Sequence, residues 1–98
     1  MVVEHAEIFV TPGREAEFEA AMTRAKDVAL QADGIHSFRC GRGIESPSVF
    51  RLTIEWETLE AHTEGFRGSE LFTQWRGVIG EFFEQPPRVE HSETFVEA

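Results

Sequence analysis

From Val49 to Glu57 the chain alternates without a break: Phe50, Leu52, Ile54 and Trp56 fall on one parity, Val49, Arg51, Thr53, Glu55 and Glu57 on the other. A period of two places successive side chains on opposite sides of a strand, so this segment has one apolar face and one mixed face. Any fold must lay something over the face that carries Trp56. Two helical stripes are available for that. Phe18, Ala21, Met22, Ala25, Val28, Ala29 and Ala32 recur at helical spacing up to Asp33-Gly34, where glycine suits the left-handed turn after a helix. Leu71, Phe72, Trp75, Val78, Ile79, Phe82 and Phe83 form the second stripe, which Pro86-Pro87 ends.

The remaining segments complete an order. Thr11-Pro12-Gly13 predicts the start of the first helix, with Thr11 as cap and Pro12 at the first helical position. Ser69 predicts the start of the second, and Thr58 to Glu64 a short helical segment capped by Thr58 and broken at Gly65. Strands are expected at Val2 to Val10, whose apolar parity only Glu4 interrupts, at Ile35 to Arg42, and at Arg88 to Val96. The sum is β-α-β-β-α-β, the α+β, ferredoxin-like split βαβ pattern: a four-stranded antiparallel sheet with both helices on one face. Ninety-eight residues allow a single domain, residues 1–98. The opposite sheet face would carry His5, Glu7, Phe9, Arg39, Arg51, Thr53 and Glu55. Its mixed charges and its apolar bulk fit a subunit interface in which Arg39 and Arg51 pair with Glu7 or Glu55, so a homodimer is expected.

Charge narrows the function. Eighteen acids against nine bases give a net charge of −9, and no window holds a basic run. Nucleic acid needs a basic footprint, so it is excluded as a partner, and an anionic membrane surface is disfavoured for the same reason. No apolar run approaches the roughly 20 residues that span a bilayer. With one cysteine, Cys40, and no signal-peptide pattern in Met-Val-Val-Glu-His, a cytoplasmic protein is expected. Phosphate-loop, CxxC, HExxH and EF-hand patterns are all missing. The four histidines at 5, 36, 62 and 91 lie on different elements and read as scattered surface residues, so no metal site is expected. Cys40 reads as a small buried hydrophobe.

Aromatic content is the feature left over: nine Phe, two Trp and no Tyr. Phe38, Phe50, Trp56, Phe66, Phe72, Trp75, Phe82 and Phe83 should look into the layer between sheet and helices. Most of them must be core, yet so many large rings in a thin layer leave scope for a flat apolar slot holding a planar ligand. His36, on the strand parity of Phe38 and Cys40, is expected to point into that layer. His62, four residues beyond Thr58, is expected at its mouth. A histidine at an apolar pocket is a candidate acid or base with a tunable pKa.

Glu55-Trp56-Glu57-Thr58, then Glu60-Ala61-His62 and Phe66-x-x-Ser69-x-x-Phe72, resemble the antibiotic biosynthesis monooxygenase family. The opening Glu7-Ile8-x-Val10-x-Pro12-Gly13-x-Glu15-x-x-Phe18 and Asp33-Gly34 fit the same pattern, so the resemblance runs over essentially the whole chain. It implies a dimeric α+β barrel in which two ferredoxin-like sheets face each other. It also implies a monooxygenase that needs no flavin, metal or haem and oxidises small planar phenols or quinols with O2. On that reading His62 is the catalytic base or hydrogen-bond donor, and His36, Trp56, Phe66, Phe72, Trp75 and Arg76 bind substrate, Arg76 by orienting an anionic oxygen. The chain departs from the family's haem-degrading branch at three positions: Phe66 stands for its Trp, Ala6 for its Asn and Arg76 for its haem-ligating His. That argues against haem degradation. Phe66 also stands where many members have a His, which favours an alternative: a non-catalytic small-molecule-binding or stress-associated dimer on the same fold. An isomerase or decarboxylase needs the same slot and base and is a third possibility.

Overall fold

The alternation at 49–57 becomes an inner strand of a four-stranded sheet. The computed structural model describes residues 1–98. In chain order it contains β1 (Val2–Phe9), α1 (Glu15–Ala29), β2 (Ile35–Arg42), β3 (Val49–Trp56), a wide helical turn (Ala61–Phe66), α2 (Glu70–Ile79), a short 3-10 turn (Gly80–Phe82) and β4 (Arg88–Glu93). The strands lie in the order β2-β3-β1-β4, and every neighbouring pair is antiparallel. This is the βαββαβ, ferredoxin-like arrangement.

Register sets which side chains meet. Ala6 pairs with Leu52 and Val89, and Ile8 with Phe50, so the apolar parities of three strands share one face. The two helices pack on that face and on each other. Ala21, Ala25 and Ala29 are fully buried and keep α1 close to the sheet. Phe18 fills the space at one end, its ring 4.7 Å from that of Phe50 and 6.0 Å from that of Phe82. Each fully buried Ile, such as Ile8, Ile54 or Ile79, contributes roughly 1.5–3 kcal/mol.

The structure differs from the sequence expectations at several ends. Helix α1 starts at Glu15 rather than at Pro12, because Thr11 to Arg14 close a turn of their own, with Arg14 N donating to Thr11 O at 3.0 Å. The Thr11 hydroxyl donates instead to Phe82 O. The helix ends at Ala29, so Gly34, with φ +83°, serves the turn into β2 rather than the helix terminus. Ser69 does precede α2, but its hydroxyl reaches back to Phe66 O at 2.7 Å instead of capping forward. Strand β4 stops at Glu93, short of Val96.

The segment after β3 departs furthest from regular helical geometry. Thr58 Oγ1 accepts the Ala61 N–H at 3.1 Å, as its cap position predicts. The turn then widens: Arg67 N donates to His62 O, five residues back, at 3.1 Å. Gly65 lies inside this π-type turn and does not break it, and such widened turns recur at functional sites. Both His62 and Phe66 are buried against the sheet. Gly34 anchors the turn from outside, its carbonyl accepting the Glu57 N–H at 2.7 Å. A Cβ on Gly34 would stand 2.9 Å from the Cβ of Ala61, the residue before His62. A positive φ and a blocked Cβ together predict that Gly34→Ala costs about 1–3 kcal/mol, read as a lowered denaturant midpoint. An unchanged midpoint would contradict this packing.

Candidate active site

A cavity of about 360 Å³ lies in the layer between sheet and α2. Ala6, Ile8, Leu52 and Ile54 line it from the sheet, and Phe66, Phe72, Trp75 and Ile79 from the helical side. Two exposed arginines, Arg67 and Arg76, lie at its solvent side. The guanidinium of Arg76 sits 5.2 Å from the centre of the Phe83 ring.

Two ionisable groups break this apolar lining. Glu4, only 6% exposed, points inward from β1, between Ile54 of β3 and His91 of β4 in register. The Trp56 Nε1–H donates to Glu4 Oε1 at 3.0 Å. His62 Nε2 lies 3.3 Å from the same oxygen. The other nitrogen, His62 Nδ1, shares a hydrogen bond of 2.8 Å with His91 Nε2. The His62 ring stacks on Trp56, with centroids 5.2 Å apart and planes inclined by 18°. His62 thus touches both Glu4 and His91, which are neighbours across β1 and β4.

Burial governs how these groups ionise. It pushes the Glu4 carboxyl up, against the opposing pull of the Trp56 N–H and the Arg67 charge. It pushes the His62 imidazole down to about 4, and Arg67 and His91 add to that. His91 is lowered as well, by burial first and then by Arg67 and His5. Near neutral pH both imidazoles are therefore uncharged, and the contact between His62 and Glu4 is one between a neutral ring and a carboxyl group, not an ion pair. A neutral imidazole beside a buried carboxyl is an arrangement that can take up and return a proton.

Of the residues singled out in the sequence, His62, Phe66, Phe72, Trp75 and Arg76 line this one cavity. Trp56 lies behind it, fully buried, and acts through its N–H on Glu4 and its face on His62. His36 does not point into the layer. A β-bulge between Ile35 and Ser37 adds one residue there, so Ile35 pairs with Trp56, Phe38 with Ile54, and His36 turns out to an exposed contact with Glu57. Parity counting across that bulge placed His36 on the wrong side. The sequence pattern does not single out Glu4 or His91 as a site residue. The signal for Glu4 was its place as the single acid on an apolar strand parity, whereas His91 sits on a polar strand whose pattern hides its inward face.

A second hollow, about 400 Å³, opens between α1 and β2 over Phe18, Met22, Phe38 and Cys40. Of its charged groups, Glu19 and Arg42 are exposed and pair at 3.5 Å, and Lys26 is half-buried. Burial pushes the Cys40 thiol up to about 11, which leaves it protonated and unreactive.

The family model described as antibiotic biosynthesis monooxygenase matches residues 1–78. The chain is 37% identical over 91 residues to the uncharacterized protein YczJ of Bacillus subtilis (strain 168), covering 93% of this chain and 96% of that one. A crystal structure from Bordetella bronchiseptica, named as a candidate antibiotic biosynthesis monooxygenase, superposes with a TM-score of 0.93 at 40% identity over 97% of each chain. A similarly named protein from Nitrosomonas europaea shares the fold, with a TM-score of 0.82 at 14% identity over 98% of this chain and 100% of that one.

The His62 environment has a consequence for stability. Folding lowers its pKa from 6.5 to about 4, so between those values the unfolded chain binds a proton that the folded chain refuses. The stability tied to neutral His62 is complete above pH 6.5 and is lost as the pH falls toward about 4. Glu4, raised by folding, acts in the opposite sense but is common to wild type and variant. Thermal melts should therefore fall more steeply below pH 6.5 for wild type than for His62→Gln. Parallel curves would contradict the assignment.

Proposed function

The chain belongs to the antibiotic biosynthesis monooxygenase family, and from that premise we propose that it is a monooxygenase oxidising a small planar phenol- or quinol-type aromatic with O2. The cavity carries this reading. At about 360 Å³ it has the volume of a small-molecule site. Phe66, Phe72 and Trp75 offer aromatic surfaces to a flat ring, and the only buried polar side chains in the chain are Glu4 and His62. The substrate ring lies among the aromatics with its hydroxyl toward the paired His62 and Glu4, which together take its proton. Arg76 at the rim orients an anionic oxygen.

The chemistry balances without an added reductant. A phenol with a free para carbon plus O2 gives a quinone and water. The substrate supplies four electrons, one oxygen atom enters the ring carbon as a carbonyl, and the other leaves as water. No resident cofactor is needed for that stoichiometry. What the protein must supply is removal of the hydroxyl proton, since the anion is the electron-rich form, and exclusion of bulk water from the reacting ring.

A homodimer through the open sheet face belongs to the same proposal. That face holds a polar hollow lined by His5, Glu7, Arg51, Thr53, Arg88 and Glu90; Arg51 pairs with Glu7 at 3.7 Å and Arg88 with Glu90 at 2.9 Å within the chain, pairs that a two-fold related copy would extend across the interface. Phe95 and Val96, 94% and 73% exposed beyond β4, add apolar surface for a second subunit to cover.

Oxygen uptake by the metal-stripped protein against a panel of naphthols, quinols and anthrones tests this. Uptake is expected in wild type and should fall by about 10²-fold or more in His62→Ala, with the melting temperature of the variant measured alongside. The same preparation should sediment at twice 11.1 kDa. No uptake on any member of the panel would contradict the oxygenase reading, and equal uptake in both proteins would remove His62 from it.

A further inference from the structure

A phenol bound in the cavity must give its proton to a particular atom, and the geometry distinguishes the candidates. His62 spends Nδ1 on His91 and holds Nε2 at 3.3 Å from Glu4 Oε1. Glu4 spends one oxygen, Oε1, on the Trp56 N–H and on the contact with His62. Its second oxygen, Oε2, has no hydrogen-bond partner in the protein, yet the chain contains no orphaned buried polar side-chain atom. Oε2 therefore retains some accessible surface, on a residue that lines the cavity. We propose that Glu4 is the catalytic base of this site, with Oε2 the atom that meets the substrate hydroxyl, and that Trp56, His62 and His91 are positioning residues that hold its carboxyl group.

The proposal rests on the oxygenase reading only for the kind of acid that enters, a phenol. In the first step the substrate O–H bond breaks, its proton moves to Glu4 Oε2, and the negative charge passes from carboxylate to phenolate. The net charge of the cavity does not change, which is what permits the step in an apolar surrounding. When O2 has added to the ring carbon and the O–O bond breaks, the C–H bond of that carbon breaks as well, its proton passes to the departing oxygen, and that oxygen leaves as hydroxide. The Glu4 proton converts it to water and the carboxylate is restored. Glu4 is thus base first and acid afterwards, and no proton has to be exported.

The surroundings suit that double role. Burial makes Glu4 a stronger base than a surface carboxylate, closer to a phenol in proton affinity. The charged and titratable groups that face the cluster are Arg67 beyond the wide turn, Arg76 on α2, which lines the same cavity, His91 on β4, and His5, which acts on His91. Stacking on Trp56 and the hydrogen bond to His91 fix the plane and tilt of the His62 ring, so a change at His91 reaches Glu4 through His62.

Binding of 4-nitrophenol under nitrogen tests this apart from any oxygen chemistry, because only its anion absorbs in the visible. Wild type should ionise the bound phenol about one pH unit or more below the free compound, a tenfold shift in the ionisation equilibrium. Glu4→Gln preserves volume and an oxygen for the Trp56 N–H; it should melt like wild type and lose the shift, and Glu4→Asp should recover part of it. His91→Gln should move the half-ionisation pH without abolishing the anion band. A band of equal strength in wild type and Glu4→Gln, or no band in wild type at any attainable concentration, overturns the proposal. An intact nitrophenol shift without oxygen uptake on any substrate would sink the oxygenase reading and leave the Glu4 assignment standing. Oxygen uptake undiminished in Glu4→Gln would do the reverse.

Discussion

A carboxyl group in an apolar layer is the constraint around which this protein is arranged. Glu4 lies on the core face of β1, an inner strand that pairs on both sides, and only 6% of it is exposed. Leaving such a group without a partner costs several kcal/mol by transfer arguments, and a hydrogen bond to a charged group returns roughly 1.5–3 kcal/mol of that. The Trp56 N–H supplies the bond at 3.0 Å. To do so Trp56 must be the last inward residue of β3, fully buried, with its ring turned across the end of the sheet. Trp56 then presents its face to His62, and the ring stacking fixes where the wide turn after β3 must run.

Several irregularities of the fold serve that same corner. The bulge at His36 lets Ile35 and Phe38 both face inward, which keeps β2 in register beside Trp56 while its extra residue turns out. Gly34 accepts a backbone bond from Glu57 and leaves room for Ala61. The widened bond from Arg67 to His62 completes the turn and sends the Arg67 charge toward Glu4, where it tempers the effect of burial. Helix α2 closes the layer with Trp75 and Ile79 but does not fill it, and the cavity is the space that remains. The same layer that stabilises the chain thus contains the hollow proposed to do its chemistry.

Much of this was legible in the sequence because it rests on local periodicity. Phe50, Leu52, Ile54 and Trp56 set the inner face of β3, the stripe from Phe18 to Ala29 set α1, and the order of elements followed. His62, Phe66, Phe72, Trp75 and Arg76 converge on one cavity because the turn and α2 share a face of the sheet. Where reading failed, the cause was a change of register or a contact made across strands. Parity cannot see the inserted residue of a bulge, so His36 was placed inside. Helical spacing cannot show that Thr11 would close its own turn before α1. Glu4 looked like an interruption of an apolar strand, and its meaning appears only when Trp56, 52 positions away, places an N–H on it. His91 required knowledge that β4 pairs with β1 at Glu4.

The central claim is that an aromatic hydroxyl compound occupies the hollow over Glu4, Trp56 and His62. The chain contains only two tryptophans, Trp56 and Trp75. One lines the hollow and the other holds Glu4 from behind, so their two indole N–H signals report on it directly. Titrating nitrogen-15-labelled protein with 1-naphthol in the absence of oxygen should move both signals together along one saturable curve. If neither moves while amides of Phe38 and Cys40 in the groove beside α1 do, the aromatic compound binds elsewhere and the account fails.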